Sequence, residues 1–388
     1  MADHSERAHS ELGGSIAKRW IRCPGSVRLC RAADPQEASE YAELGTAAHE
    51  LAEQCLVLGE DAEDNIGEEF NGHIVDQNMA DAVQVYLDYV AKNTAEGSKV
   101  YVERKFGLEW VHAGMFGSND CCIWDPATKD LWVIDYKHGQ GVTVEAEWNE
   151  QLLYYAAGAA AAVIQETGRS DAVENITLAI VQPRGQGDAI KEWGIHVREL
   201  NHWIVSVLMP AARATDEDDA RLEVGDHCKW CAAAPNCPAQ RQIARKQFDD
   251  GMKLPEQMTD EELGKVLEVA DSMEAWFKQV RGYARNRLSS GLSVPGRKLV
   301  AGRNTRKWKN DLEAADVLED ILGDDAYARK LLTPAAAEKA LGKERKGELA
   351  ELIETVEGEP IMAPESSKKP AVCGTAAAQF LDAIDELN

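Results

Sequence analysis

The residues best placed to do chemistry fall into two groups. The first is Asp120, in Gly117-Ser118-Asn119-Asp120, followed by Asp135-Tyr136-Lys137. Two carboxylates brought close repel and raise each other's pKa unless a cation sits between them. Oxygen ligands of this kind suit Mg²⁺ or Mn²⁺, and the Tyr136 peptide carbonyl offers one more. Lys137 follows Asp135 by two residues and on a strand shares its face. There it can steer a water and stabilise negative charge on a phosphate. A D-x-K triplet alone is weak, because a strand end with a surface ion pair looks the same. Fourteen residues beyond Lys137, Gln151 opens Gln-Leu-Leu-Tyr-Tyr, and on a helix Gln151 and Tyr155 lie one turn apart. Upstream, His49 closes Gly45-Thr-Ala-Ala-His49.

The second group is Cys228-x₂-Cys231-x₅-Cys237, followed by Pro238. Three thiolates this close are costly unless a metal neutralises them. Zinc is the first generic candidate, with His227 or a distant residue as fourth ligand, and an iron–sulfur cluster is the second. Cys55, Cys121, Cys122 and Cys373 read as packing or spectator thiols.

The periodicities say what must position these residues. A polar stretch at 1–14, expected to be disordered, precedes a helix capped by Ser15 and broken at Pro24-Gly25. Apolar residues at three- and four-residue intervals predict helices over 38–58, which carries His49, and 75–92. Alternation then predicts strands over 99–108, 115–124 and 130–136, the last two joined by a turn at Asp125-Pro126-Ala127-Thr128. A helix over 147–164, a strand over 175–182 and an edge strand over 192–197 complete a mixed α/β core. A helix over 201–214 leads to the cysteines, and a long amphipathic helix is expected over 259–288. In this scheme the hairpin strands set Asp120 and Asp135 side by side, and Glu103 on the first strand reads as a solvent-facing residue rather than an auxiliary acid.

With 388 residues the chain is too long for one small module. Its 42 Lys+Arg against 67 Asp+Glu give a net charge of −25. That excludes a uniformly basic, histone-like coat for nucleic acid but leaves room for a local basic groove. Candidate basic residues are Lys18, Arg19, Arg22 and Arg28 near the N-terminus and Arg303, Arg306, Lys307 and Lys309 later. The absence of a long uncharged apolar run or an apolar leader gives the expectation of a cytoplasmic protein with no membrane partner.

The motifs in this order, G-x-x-x-H, G-x-x-D, D-Y-K and Q-x-x-x-Y, resemble the RecB-like branch of the PD-(D/E)XK nucleases. The resemblance implies a restriction-endonuclease-like α/β core over 15–245, a mixed sheet flanked by helices with helical N- and C-terminal additions. It implies that His49, Asp120, Asp135 and the Tyr136 carbonyl bind metal, that Lys137 is catalytic, and that Gln151 and Tyr155 hold DNA or the lysine. Iron–sulfur members of this group place one cysteine before the core and three after it. Carried over, Cys23, with Cys30 as rival, joins Cys228, Cys231 and Cys237 around a [4Fe–4S] cluster of structural role, which reverses the generic preference for zinc. The whole chain further resembles a phage- and prophage-encoded family within that group, through Ser15–Ser26 (SIAKRWIRCPGS) and Arg303–Trp308 (RNTRKW).

That resemblance implies a DNA exonuclease of a bacterial host's cytoplasm. Metal-activated water would attack phosphodiesters in line, resecting duplex ends for a single-strand annealing or binding protein. A non-catalytic cluster-bearing scaffold and an endonuclease of the same fold are the alternatives. Beyond the core the sequence predicts a helical region over 246–356, a linker over 357–374 and an amphipathic helix over 375–388, the last folding back on the chain or docking the partner.

Overall fold

A computed structural model describes residues 10–33, 40–249 and 255–300. The region beyond residue 300, with Arg303, Arg306, Lys307, Lys309, Cys373 and the expected linker and terminal helix, lies outside the described residues.

The chain opens with a 3₁₀ turn, Gly14–Ile16, and two short helices, α1 (Ala17–Arg22) and α2 (Ser26–Arg31). Ser15 sits inside the turn rather than capping α1, whose N-cap is Ile16 without a side-chain hydrogen bond. Helix α3 (Glu40–Leu58) follows, then a two-stranded hairpin, β1 (Glu69–Phe70) and β2 (His73–Ile74), too short to leave a periodic signal. Helix α4 (Gln77–Asn93) starts where the Asp76 carboxylate accepts from the Met79 N–H at 2.8 Å.

Five strands form the main sheet in the order β3 (Lys99–Gly107), β4 (Phe116–Asp125), β5 (Asp130–Tyr136), β6 (Asn175–Val181), β7 (Ile190–His196). All neighbours are antiparallel except β5 and β6. A parallel pair needs a long crossover, which α5 (Glu150–Thr167) supplies. The β4–β5 turn forms as expected: Asp125 Oδ1 accepts from the Ala127 N–H at 2.8 Å, and Lys129 takes φ 62° to complete it.

Helices cover both faces. One core joins α5 and α1 with α6 (Val197–Trp203), a π turn at Ile204–Leu208, and α7 (Met209–Ala214). The other joins α3 and α4 to Cys121, Ile123, Ile134, Tyr136 and Val181 of the sheet. Close packing of α5 on β3 depends on Gly158, where an added Cβ would lie 2.7 Å from Phe106 Cβ.

After α7 come the cysteine loop, α8 (Pro238–Asp249) and α9 (Asp260–Ser289), the last capped by a Thr259/Glu262 capping box. Helix α9 clamps the loop. Gln279 Nε2 donates to the carbonyls of Cys228 and Lys229 at 2.8 and 2.9 Å, and Trp276 Nε1 donates to that of Ala234 at 3.0 Å.

The alternation that predicts β3 and β4 conceals an irregularity. Tyr101 and Phe106 are an odd number of residues apart, so a regular strand would send them to opposite faces. Both nevertheless pack on the α5 side. In β4, Gly117 faces Tyr154 and Tyr155 of α5, as does the core that holds Cys122 and Trp124. Both strands therefore exchange faces between these residues. The register is continuous, with Val102 opposite Cys121 and Arg104 opposite Asn119, but the Glu103/Asp120 pair between them is missing from the ladder. Glu103 has φ 45°, a left-handed conformation unusual for a long side chain.

Candidate functional site

The irregularity lies at the end of the β4–β5 hairpin. Cys121 pairs with Ile134, so Asp120 and Asp135 fall opposite one another one step beyond the ladder. The Tyr136 N–H donates to Asp120 Oδ2 at 2.7 Å. His49, on α3, approaches the same oxygen through Nδ1 at 3.5 Å, with its ring edge-on to Tyr136 at 5.4 Å between centroids.

One ligand atom from each of His49, Glu103 and Asp120 lies within 4.8 Å of the other two, the separation at which one ion can bind all three. This corrects the reading of Glu103 as a solvent-facing strand residue. The side chain is partly buried and joins the site through the kink in β3, which regular alternation does not predict. The signal available in sequence was an acid on the strand preceding the hairpin.

Asp135 has a different setting. Its carboxylate is almost fully buried, with Oδ1 accepting from Gln151 Nε2 at 2.8 Å and Oδ2 lying 2.7 Å from Lys137 Nζ. Lys137 also donates to Gln151 Oε1 at 3.2 Å, and Gln151 Nε2 reaches the Tyr155 hydroxyl at 3.2 Å. Gln151 and Tyr155 thus lie one turn apart on one face of α5, as their spacing predicts. The Asn149 side chain caps that helix by accepting from the N–H groups of Gln151 and Leu152 at 3.0 and 3.2 Å. Asp135 and Lys137 face α5, whereas Tyr136 faces α3, so the hairpin end is gripped from both sides of the sheet.

Electrostatics match these positions. Burial and the Lys137 ammonium lower the His49 pKa and keep the imidazole neutral, the form that binds metal. Among the opposing influences is a backbone hydrogen bond with Tyr136. Burial works against the Lys137 ammonium, but Asp135 and Asp120 outweigh it and hold its pKa above the ordinary lysine range.

The cysteines form a second centre. Cys23, Cys228, Cys231 and Cys237 line one cavity together with Arg19, Ser26, His227 and Gln240. Cys23 comes from the residue after α1, some 200 positions before the others, and the Glu223 N–H donates to its Sγ at 3.3 Å. The Gly225 N–H approaches Cys228 Sγ at 3.5 Å. His227 Nδ1 and Gln240 Oε1 are buried there without hydrogen-bond partners. Orphaned polar atoms around gathered thiols fit a site built for a polar or charged group.

Tetrahedral zinc at thiolate bonds of about 2.3 Å draws sulfurs to about 3.8 Å apart. Among the described residues, only His49, Glu103 and Asp120 form a group of three with all ligand atoms within 4.8 Å. Cys30 lies to one side, its Sγ 3.7 Å from that of Cys231. A hydrogen bond with Cys231 and the Arg19 guanidinium pull its pKa down to about 6. The remaining described thiols are packing residues, as expected: Cys55, Cys121 and Cys122 are buried, and burial pushes each pKa up.

The N-terminal basic residues are engaged within the chain. Lys18 pairs with Asp226, and Arg22 with Glu150 at 3.0 Å and Asp226 at 3.6 Å. Arg19 donates to Cys30, and Arg28 to the Asp218 carbonyl. Together they strap α1 and α2 to the segment entering the cysteine loop. Gly25 seals the strap, since a Cβ there would sit 2.4 Å from the Ala220 carbonyl oxygen.

The fold and the site define a mixed α/β protein with a five-stranded mixed sheet flanked by helices and a His/Glu/Asp group able to hold a metal ion. A family model described as "Protein of unknown function (DUF2800)" matches residues 9–370, and the chain belongs to this DUF2800 family. Among the described residues, no helix is long and apolar enough to cross a membrane.

Proposed function

We propose that this protein is a metal-dependent DNA nuclease with a RecB-like PD-(D/E)XK core, hydrolysing phosphodiester bonds and acting as an exonuclease at duplex ends. The observation that carries the reading is the meeting, at one hairpin end, of the His49/Glu103/Asp120 group with the Asp135–Lys137–Gln151–Tyr155 chain. His49, Glu103 and Asp120 would hold Mg²⁺ or Mn²⁺, with the Tyr136 carbonyl and Asp135 beside them. A divalent ion there supplies Lewis acidity to a phosphate oxygen and makes water a better nucleophile. Lys137, ion-paired to Asp135, presents positive charge to the phosphate as negative charge develops on its oxygens. Gln151 fixes Asp135 and Lys137 together, and Tyr155 fixes Gln151. Hydrolysis breaks one P–O ester bond, forms a P–OH bond with the oxygen of water, and leaves a water proton on the departing sugar oxygen, giving a phosphate monoester and a free hydroxyl.

In this reading Cys23, Cys228, Cys231 and Cys237 hold a [4Fe–4S] cluster that staples α1 to the segment following the core. The family resemblance favours it over zinc, and the backbone N–H groups that approach Cys23 and Cys228 suit sulfurs carrying negative charge. Lys18 and Arg22 stay about half exposed in their pairs with Asp226 and Glu150, so they remain candidates for DNA contact in this reading.

The test is cleavage of linear and covalently closed duplex DNA by the full chain with Mg²⁺ or Mn²⁺. Loss of linear DNA alone, abolished by Asp120→Asn and by Lys137→Ala, is the expected result. Cleavage of closed circles would make the enzyme an endonuclease, and no metal-dependent cleavage of either substrate would overturn the proposal.

A further inference from the structure

Trp148 lies three residues before Gln151, at the mouth of α5, and more than half of its surface is exposed. Its backbone has φ 51°, a conformation that a bulky residue adopts only when its surroundings impose it. The indole rests against Trp193 of β7, with ring centroids 4.7 Å apart and planes at 50°. Trp193 is itself half-buried against the α5 core.

The loop that presents Trp148 is firmly tied. Gln182 Nε2 donates to the carbonyls of Gly139 and Val142, both at 2.8 Å, and its Oε1 accepts from the Val144 N–H at 3.0 Å. Lys191 Nζ adds bonds to the Val144 carbonyl at 3.1 Å and to Glu145 at 2.9 Å. A strained, anchored backbone therefore holds a large aromatic face toward solvent, on the same loop-to-helix connection that carries Lys137 at one end and Gln151 at the other.

We infer that Trp148, backed by Trp193, is a stacking platform for one unpaired nucleobase of the strand bound at the site. The inference rests on the nuclease reading and deepens it by assigning a base-binding residue. Three arguments select this occupant. An indole stacks on a free base face, and in an intact duplex those faces are covered. Stacking is independent of charge, so a chain of net charge −25 can grip a strand through its bases where its field repels phosphates. The platform also lies on the connection that leads directly into α5, three residues before Gln151, which holds Asp135 at the site.

The test uses the full chain carrying Lys137→Ala, to prevent cleavage, and fluorescence anisotropy with a labelled single-stranded oligonucleotide. A set of matching oligonucleotides carries one abasic site stepped along the strand. One abasic position should weaken binding by about 5- to 150-fold, the range of base–aromatic stacking. Trp148→Ala should lose a similar factor on the intact strand and become insensitive to that abasic site. Trp148→Leu, which keeps apolar bulk without a π face, should behave like Trp148→Ala if the role is stacking, and Trp148→Phe should restore part of the affinity. Uniform weakening at every abasic position, or none, overturns the platform while leaving the nuclease reading standing if the unsubstituted chain still cleaves DNA. Absence of both DNA binding and cleavage overturns both.

Discussion

Gly158→Ala probes the packing that sets the site. In a helix the change is ordinarily favourable by about 1 kcal/mol, because alanine loses less backbone entropy. At Gly158 the new Cβ would meet Phe106 Cβ at 2.7 Å. That atom lies next to the β3 backbone and cannot swing aside, so α5 and β3 must separate. Overpacking of this kind costs roughly 1–3 kcal/mol. Near the upper part of that range, subtracting the propensity gain leaves a net loss of about 1–2 kcal/mol. Gly282, on α9, supplies the internal control, since nothing lies within 4 Å of its added Cβ. Gly282→Ala should gain up to about 1 kcal/mol, so the two variants should differ by about 2–3 kcal/mol. Urea unfolding followed by circular dichroism reads this as a shift in midpoint at constant m. Because Gln151 lies two turns from Gly158 on the same helix, its 2.8 Å bond to Asp135 should loosen as α5 lifts. Equal stabilisation by both substitutions would refute the packing argument.

Three further outcomes follow from particular contacts. Glu103→Gln should weaken Mn²⁺ binding measured by calorimetry by at least about tenfold, as Asp120→Asn should, whereas Lys137→Ala should leave it within a few-fold; unchanged affinity in Glu103→Gln would return that residue to a bystander. Cys23→Ala should abolish the brown colour and bound iron of anaerobically purified protein, whereas Cys30→Ala should keep them; a colourless unsubstituted chain with one zinc would overturn the cluster. Hydrogen bonds from Lys99 and Tyr101, at 2.5 and 3.0 Å, hold the Glu166 carboxyl below its usual pKa. A depressed folded-state pKa stabilises above the unfolded value and is lost as pH falls through the folded one. Glu166→Gln should therefore cost under about 1 kcal/mol at pH 7, and the deficit should shrink below the ordinary carboxylate pKa and vanish once pH has fallen through the depressed folded-state value; a deficit that grows in acid would refute this.

Local patterns in the chain suffice for the strands and helices that carry the site. Period-2 alternation and the Asp125 turn specify the β4–β5 hairpin, and the Asp135–x–Lys137 spacing puts both side chains on one face whatever surrounds them. Helical spacing likewise aligns Gln151 with Tyr155, and the order of elements dictates that α5 bridges a parallel pair. These relations are short in sequence and fixed by the geometry of one strand or one helix.

Glu103 became legible only in three dimensions. Its entry into the site depends on β3 and β4 exchanging faces together at one ladder position, a distortion sustained by packing on both sides of the sheet. The N-terminal basic residues carried no local mark of their contacts either. Only the fold shows that Asp226 reaches Lys18 and Arg22 across some 200 residues. The same long-range closure brings Cys23 to the cavity of Cys228, Cys231 and Cys237 and sets Cys30 Sγ 3.7 Å from that of Cys231. Residue type and spacing determine which chemistry is available. Which residues meet depends on the contact partners of the folded chain, and those are set by packing between segments far apart in sequence.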